Sequence, residues 1–447
     1  MAKKIFLFGL SGNMPHLRHR QIAELLAPEC DKFIVVPCGV RPDKLTVNDT
    51  SSVDRAVMCD MNFRNIPNVE VLLDDLEKEE FTRAYDLDQQ FRRNGDEVWH
   101  VVGSELIEGG IDKSDVSTKW HRGRELFKQA NFWILYRDGR PSLSHYELPP
   151  QRRYDTRVRK YISSSSLRKL VSDHKPIDDF VLPEVAQYIE RRGLYRGLPV
   201  QSKSILPAIK ERRRLLVVWG HANSDAQETA SRLKSINESN PELIIVIGGD
   251  GTMLRAIRKY WRLRVPFFGI NRGHIGFLMN ELVDADSNFI RLHQTLIVYQ
   301  SPLLSVNGHL AFNDVWVKGI DEKIIYVQVF ADGKLRLKDL AGDGLIVSTP
   351  AGSTGYARKA GGQTIKIGES SLLLTGIAAR PFVSAPVDIN SEIRIEAINS
   401  DRWPMQAFAD GEKLGQMKEL RIRTSRIAAP ELAFLPEYDL TEKSADF

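Results

Sequence analysis

Twice in its 447 residues the chain runs from an apolar, strand-like segment straight into a glycine turn and then into a helical pattern. The first instance is KIFLFGLSGNMPHLRH, residues 4–19, and the second is LIIVIGGDGTMLRAI, residues 243–257. A short unbroken run of β-branched and aromatic residues reads as a strand buried on both faces. Such strands belong to parallel sheets covered by helices on both sides. The glycine turn then falls at the carboxyl end of a strand, where open α/β sheets bind their ligands.

The surrounding sequence extends this pattern. Over residues 1–195, KIFLF, KFIVVP, VEVLL, EVWHVVG and FWILYR read as buried strands, with helical segments such as RHRQIAELLA and SVDRAVMCDMNF between them. This alternation predicts an open, Rossmann-like, largely parallel sheet. Residues 196–212 carry prolines and polar residues without a period and read as a linker. A second α/β pattern covers 213–290, and from 291 to 447 short alternating strands separated by turns such as ADG and NSD predict a β-rich part, a β-sandwich.

Composition narrows the class. With 42% hydrophobic and 27% charged residues, the chain matches an ordinary folded protein. A net charge of +4 over this length argues against a dedicated nucleic-acid binder. Cys30, Cys38 and Cys59 are odd in number and fit no zinc spacing, which points to a reducing compartment. The apolar start is too short for a signal segment, and no apolar run reaches membrane-spanning length. A cytoplasmic protein with no membrane and no nucleic-acid partner is expected.

The turn after residue 247 places Asp250 inside Gly248-Gly249-Asp250-Gly251. Glycines admit an anion close to the backbone, and the helix start offers N–H groups and a positive dipole end. An acid there is awkward for phosphate alone. It fits a group that accepts a hydrogen bond, or a proton, from a hydroxyl attacking a phosphoryl group. The plainer alternative is an Asp capping the helix. A second small-residue cluster, AGDGLIVSTPAGSTGYARKAGG, follows another buried strand and suits a loop around a nucleotide.

Residues 213–447 resemble the NAD kinase family through GGDGT at 248–252, GINRGHIGFL at 269–278, FNDV at 312–315, GDGLIVSTPAGSTGY at 342–356 and ADG at 409–411. The resemblance implies ATP-dependent phosphorylation of the adenosine 2′-hydroxyl of NAD, with Mg2+ or another divalent cation accompanying ATP. It implies Asp250 as base, flanked by Gly249 and Gly251. Asn313 and Asp314 would hold ribose hydroxyls, Thr354 and Tyr356 would line the nucleotide pocket, and Phe277 would lie against adenine. A homo-oligomer through the kinase region is also implied. The chain departs from the family's TPTGSTAY at Ala351 and Gly355, and has Gln363 where proline is common.

In the first half, a glycine turn and two histidines three apart, His16 and His19, open a helix. Solvent-facing histidines, a metal pair or a phosphate site all fit that pattern; a metal lacks a third ligand in view. The run ISSSSLRKL, residues 162–170, sets serines and Arg168 at another helix start, which can serve an oxyanion or merely cap the helix. Together these stretches resemble the nucleotidylyltransferase superfamily and, within it, nicotinamide or nicotinate mononucleotide (NMN or NaMN) adenylyltransferase. VVPCGVRPDK, VVGSEL, KWHRGRELFKQANFWILYRDG and LPEVAQYIERRGLY extend the likeness over 1–195. It implies that Gly9, His16, His19, Lys44, Ser164 and Arg168 bind the ATP phosphates and that Trp120 stacks on the pyridine ring. The departures are Gly12, Asn13 and Met14 in the turn, Glu105 where Asp is usual, and Tyr85 at a Thr site.

The two resemblances imply a bifunctional enzyme of NAD and NADP synthesis, with ATP, NMN or NaMN, and NAD as ligands. One alternative is an NAD kinase with a catalytically silent, nucleotide-sensing first domain. Another, a lipid kinase, shares the GGDGT loop but not TPAGST.

Overall fold

The computed structural model describes residues 2–40, 50–136, 142–157, 162–197, 200–209, 213–233, 240–273, 276–282, 294–321, 323–438 and 440. The chain forms two compact units, Met1–Val200 and Gln201–Phe447.

The first unit is built on six strands: β1 (Lys4–Leu10), β2 (Lys32–Pro37), β3 (Val69–Val71), β4 (Glu97–Gly103), β5 (Asn131–Leu135) and β6 (Gln151–Asp155). They pair in the order β3-β2-β1-β4-β5-β6, all parallel. The order reverses between β1 and β4, which opens a crevice at their carboxyl ends. Five of these strands follow from the apolar runs. β6 does not: its sequence, QRRYD, leaves four of five residues exposed, so an edge strand here carries no hydrophobic period.

The crossover helix Ser52–Phe63 is capped by Ser51, whose side chain accepts from Asp54 N–H at 3.1 Å. Asp54 is almost wholly buried, and it accepts from Tyr188 Oη at 2.7 Å and Arg192 Nε at 3.3 Å. Both partners lie on the closing helix Pro183–Arg192. Stripping one partner from a buried ion pair costs about 3–5 kcal/mol, so this contact anchors the unit's last helix to its sheet layer.

The second unit opens with a mixed sheet containing β7 (Lys203–Leu206), β8 (Leu215–Trp219), β9 (Leu243–Gly248), β10 (Phe267–Asn271), β11 (Leu296–Gln300) and the closing strand Glu431–Phe434. β8, β9, β10 and the closing strand are parallel neighbours, while β11 and β7 add on antiparallel. Three boundaries expected from sequence are thereby corrected. The supposed linker 196–212 contains β7, whose KSIL has too few apolar residues to signal a strand. β11, expected in the β-rich part, pairs instead with the α/β sheet. The chain's closing strand also returns to that sheet rather than ending in the β-rich part. Local pattern identifies a strand but not its partner.

The remaining strands form two six-stranded antiparallel sheets facing each other. Strand Ile325–Ala331 alternates buried and half-buried residues along its whole length. Its inward Ile325, Val327 and Val329 join Val315, Val317, Leu345 and Val347 of the opposite sheet in one apolar core. The expected β-sandwich is present. Among the described residues no helix is long and apolar enough to cross a membrane.

Candidate functional site

In the second unit, β9 ends in Gly248 at φ +153°, where a Cβ would also lie 2.6 Å from Thr252 Oγ1. Only glycine fits this entry to the helix Asp250–Tyr260. Gly249 is the N-cap residue, so Asp250 does not cap the helix. Its carboxylate reaches sideways instead, accepting the backbone N–H of Phe277 at 3.1 Å and of Leu278 at 2.9 Å. The Phe277 side chain is buried in a core with Met253, Phe312 and Ala351, beneath the loops of the site. Asn271 accepts from Gly273 N–H at 2.9 Å and donates to Glu281 at 2.7 Å, which shapes the same loop. Of the GINRGHIGFL stretch, residues 274–275 lie outside the described residues.

The FND and TPAGST stretches are tied to each other. Thr349 donates its hydroxyl to Phe312 O at 2.8 Å and its N–H to Asn313 O at 2.9 Å. At Gly352 a Cβ would sit 1.9 Å from Asn313 O, so the two backbones touch with no room for a side chain. Ser353 donates to Pro350 O at 2.7 Å and accepts from Ile365 N–H at 2.9 Å, and Thr354 Oγ1 donates to Ala351 O at 2.9 Å. The turn is therefore internally bonded. Tyr356 stands at its end, 37% exposed, with its ring edge-on to Trp316 at 5.4 Å.

Asp410, in the ADG turn, gathers the loop from below. Its carboxylate accepts from the consecutive N–H groups of Phe312, Asn313 and Asp314 at 2.8, 2.7 and 3.2 Å. Arg258, on the helix that Asp250 begins, pairs with Asp410 at 3.7 Å and with Glu412 at 2.6 Å. Burial, with the nearby charge of Asp410, pushes the Asp314 carboxyl up to about 7. Burial and the charges of Asp314 and Asp343 likewise raise the Tyr356 phenol.

In the first unit His16 is the N-cap of helix Leu17–Leu26 and only 3% exposed, so it is not a solvent-facing side chain. Its ring stacks on His19 with centroids 3.8 Å apart, and its backbone N–H donates to His19 Nδ1 at 3.3 Å. A neutral His19 then carries its proton on Nε2, as a donor. The serine run divides its labour. Ser163 caps the helix Ser164–Ser172 through Ser166 N–H at 3.0 Å, while Ser164 donates to Met14 O at 2.9 Å. Arg168 donates to Asn13 O. Ser164 and Arg168 thus converge on the loop that leads into His16, from about 150 residues away.

Gly9 and Trp120 line one cavity of about 580 Å3 together with Thr82, His100 and His121. It opens beside the carboxyl ends of β1 and β4, the position that the strand order predicts. His100 is fixed by Asp88, 3.0 Å from Nε2, and Asp88 in turn accepts from Arg92 at 2.6 Å. Burial opposes charge on Asp88, but the bonds from His100 and Arg92 hold its carboxyl below the usual range. Arg168 lines a second cavity of about 400 Å3 with Thr50, Lys169 and Tyr195. Lys44 lies outside the described residues. Among the described residues no group of three or more His, Cys, Asp or Glu could hold a metal ion.

The ATP-NAD kinase N-terminal domain profile matches residues 170–297, and the ATP-NAD kinase C-terminal domain profile matches 313–430. An NAD kinase of Xanthomonas campestris pv. campestris is 30% identical over 250 residues, covering 91% of that protein and 53% of this chain. The chain belongs to the NAD kinase family. An NAD kinase of Xylella fastidiosa is 32% identical over 228 residues, covering 87% of its own length and 48% of this chain. A solved NAD kinase from Archaeoglobus fulgidus in complex with ATP covers 52% of this chain at 26% identity, with a TM-score of 0.41.

Within this NAD kinase region, Asp250, Asn313 and Asp314 are among the residues that sequence singles out, and each is braced by bonds to backbone N–H groups or from its own backbone. What sequence does not reveal is the bracing. Asp410 matches a motif, yet an acid in a turn between strands has the composition of any turn. Thr349 opens TPAGST, but nothing in that stretch says that it bonds the FND backbone, and Arg258 carries no local signal.

Proposed function

We propose that the chain makes a pyridine dinucleotide and then phosphorylates it. In the second unit NAD is phosphorylated at its adenosine 2′-hydroxyl. The hydroxyl oxygen attacks the γ-phosphorus of ATP, the bond to the ADP oxygen breaks, and the hydroxyl proton passes to Asp250. ATP enters as its complex with Mg2+ or another divalent cation, which neutralises the phosphates as part of the substrate. Asn313 and Asp314 orient the ribose, and Thr354 and Tyr356 border the nucleotide. The observation that carries this half is Asp250 itself, at the end of β9 and the start of a helix, on a loop whose glycines clear the approach.

The first unit is read as the adenylyltransferase. The phosphate oxygen of NMN or NaMN attacks the α-phosphorus of ATP, and pyrophosphate leaves. His16, His19, Ser164 and Arg168 stabilise the charge that builds on the phosphates, and Trp120 receives the pyridine ring. Convergence of Ser164 and Arg168 on the loop entering His16 supports this reading, as does the cavity shared by Gly9 and Trp120. The two reactions are consecutive, so one chain carries NMN to NADP, or NaMN to deamido-NAD. Its cysteine usage fits the cytoplasm, and family likeness makes it a homo-oligomer joined through the kinase region.

One assay tests both halves. The full chain is incubated with ATP and Mg2+ plus NMN, NaMN or NAD, and the products are separated by chromatography. NAD or deamido-NAD with pyrophosphate from a mononucleotide supports the first half, and NADP from NAD supports the second. NADP from NAD with no product from either mononucleotide leaves the first unit as a silent nucleotide sensor.

A further inference from the structure

We infer that Asp410 is a positioning residue for NAD phosphorylation, holding the Asn313–Asp314 pair in register with the helix that Asp250 begins; this rests on the kinase reading above. The Asp410 side chain is fully buried, so it is no ligand group of its own. Its carboxylate is spent on three consecutive backbone N–H groups, those of Phe312, Asn313 and Asp314. Fixing those three peptide planes fixes where the Asn313 and Asp314 side chains leave the backbone. Asp410 takes φ +45°, a left-handed conformation in which glycine would sit with less strain. A carboxylate at this position therefore has a use beyond the turn.

The second link is Arg258. It stands two turns after Asp250 on the same helix, and its guanidinium donates to Asp410 O at 3.2 Å while pairing with the Asp410 carboxylate and with Glu412. The helix that presents Asp250 is thus joined through one cation and one carboxylate to the loop that presents Asn313 and Asp314. Base and ribose-binding pair are spaced by this relay.

The relay also has an electrical signature. Asp314 donates its backbone N–H to Asp410 and feels that carboxylate's charge. Tyr356 lies near Asp314 and near Asp343, while Arg258 and Glu412 bear on Asp410. Asp410→Asn removes a negative charge, so Asp314 ionises at lower pH. Arg258→Met cuts the link between the helix and Asp410 and leaves the three backbone bonds to the Asp410 carboxylate in place.

The experiment measures NAD kinase kinetics of the full chain and both variants, with NAD and MgATP varied separately from pH 5.5 to 9. Asp410→Asn is expected to lower kcat/KM for NAD by about 10²-fold or more while the KM for ATP changes by less than about threefold. Arg258→Met should likewise lower kcat/KM for NAD with the KM for ATP little changed, and the ionisation of Asp314 should move to lower pH in Asp410→Asn. Arg258 is partly exposed, so its variant reports even where Asp410→Asn does not fold. An unchanged kcat/KM for NAD in Arg258→Met overturns the inference, as does an equal loss for both substrates in a folded Asp410→Asn. Wild-type chain that phosphorylates no NAD removes the kinase reading itself, a result distinct from either.

Discussion

Leu278 donates its backbone N–H to Asp250 Oδ1 at 2.9 Å, from a loop 28 residues further along the chain. Phe277 does the same for the other oxygen. A carboxylate oxygen can accept more than one hydrogen bond, so one backbone bond to each does not by itself bar the proposed proton transfer to Asp250. Asp250→Asn keeps the size but loses the base, and NADP formation should fall by roughly 10²–10⁴-fold. The amide also turns its NH2 toward one of the two N–H donors, at a cost of about 1–3 kcal/mol in stability. Product analysis should show NAD accumulating from NMN and ATP. Near-normal NADP output would leave Asp250 with the mooring role alone.

His16→Ala should reduce adenylyl transfer by about 10²-fold or more, because it removes charge stabilisation on the transferring phosphates. NAD phosphorylation should persist, since His16 belongs to the first unit and Asp250 to the second. Separate assays of pyrophosphate release and NADP formation check this. Loss of both activities in a folded variant would contradict two independent sites.

Asp314 should make stability depend on pH in the unusual direction for a carboxylate. Burial and Asp410 raise its folded value from 3.8 to about 7, so between those values the folded state holds the extra proton. The stability this group contributes is present below the unfolded value and is lost as pH rises through about 7. Asp314→Asn should therefore raise the melting temperature at pH 8, by the equivalent of about 2 kcal/mol or more, and change it little at pH 4. Thermal unfolding of wild type and variant at the two pH values decides it. An equal shift at both would show that Asp314 is not the group responsible.

Gly352→Ala should abolish the kinase activity and destabilise the second unit. The added Cβ would lie 1.9 Å from Asn313 O, a backbone atom that cannot swing aside. Overpacking of this sort typically costs about 1–3 kcal/mol, and here the displaced atom belongs to the ribose-binding loop. Circular-dichroism melting with an NADP assay tests it. Unchanged values for both would mean that the TPAGST and FND backbones are further apart in solution.

Glycine turns at the ends of apolar runs made β1 and β9 legible, because strand burial and left-handed or crowded turns are properties of a few adjacent residues. The same locality exposed His16 and Asp250, whereas Asn313 came through the family resemblance and the choice of Ser163 as the cap came from the structure. β6 was not legible, since an edge strand of exposed polar residues has no period to detect. β7 was missed for a related reason: its four residues carry only two apolar side chains.

Sequence alone determined the strands that carry an apolar run, where the ligand-facing turns lie, and which family the second half joins. Those are fixed by neighbours within about a dozen residues. Only the tertiary structure decided that β11 and the closing strand belong to the α/β sheet rather than the sandwich, since pairing is chosen by partners far away in the chain. It also decided that Asp410 holds the FND backbone nearly 100 residues before it, and that Ser164 and Arg168 meet the loop at Asn13 and Met14. A hydrogen bond between distant residues leaves no pattern along the chain, because the geometry that makes it exists only after the sheets have assembled.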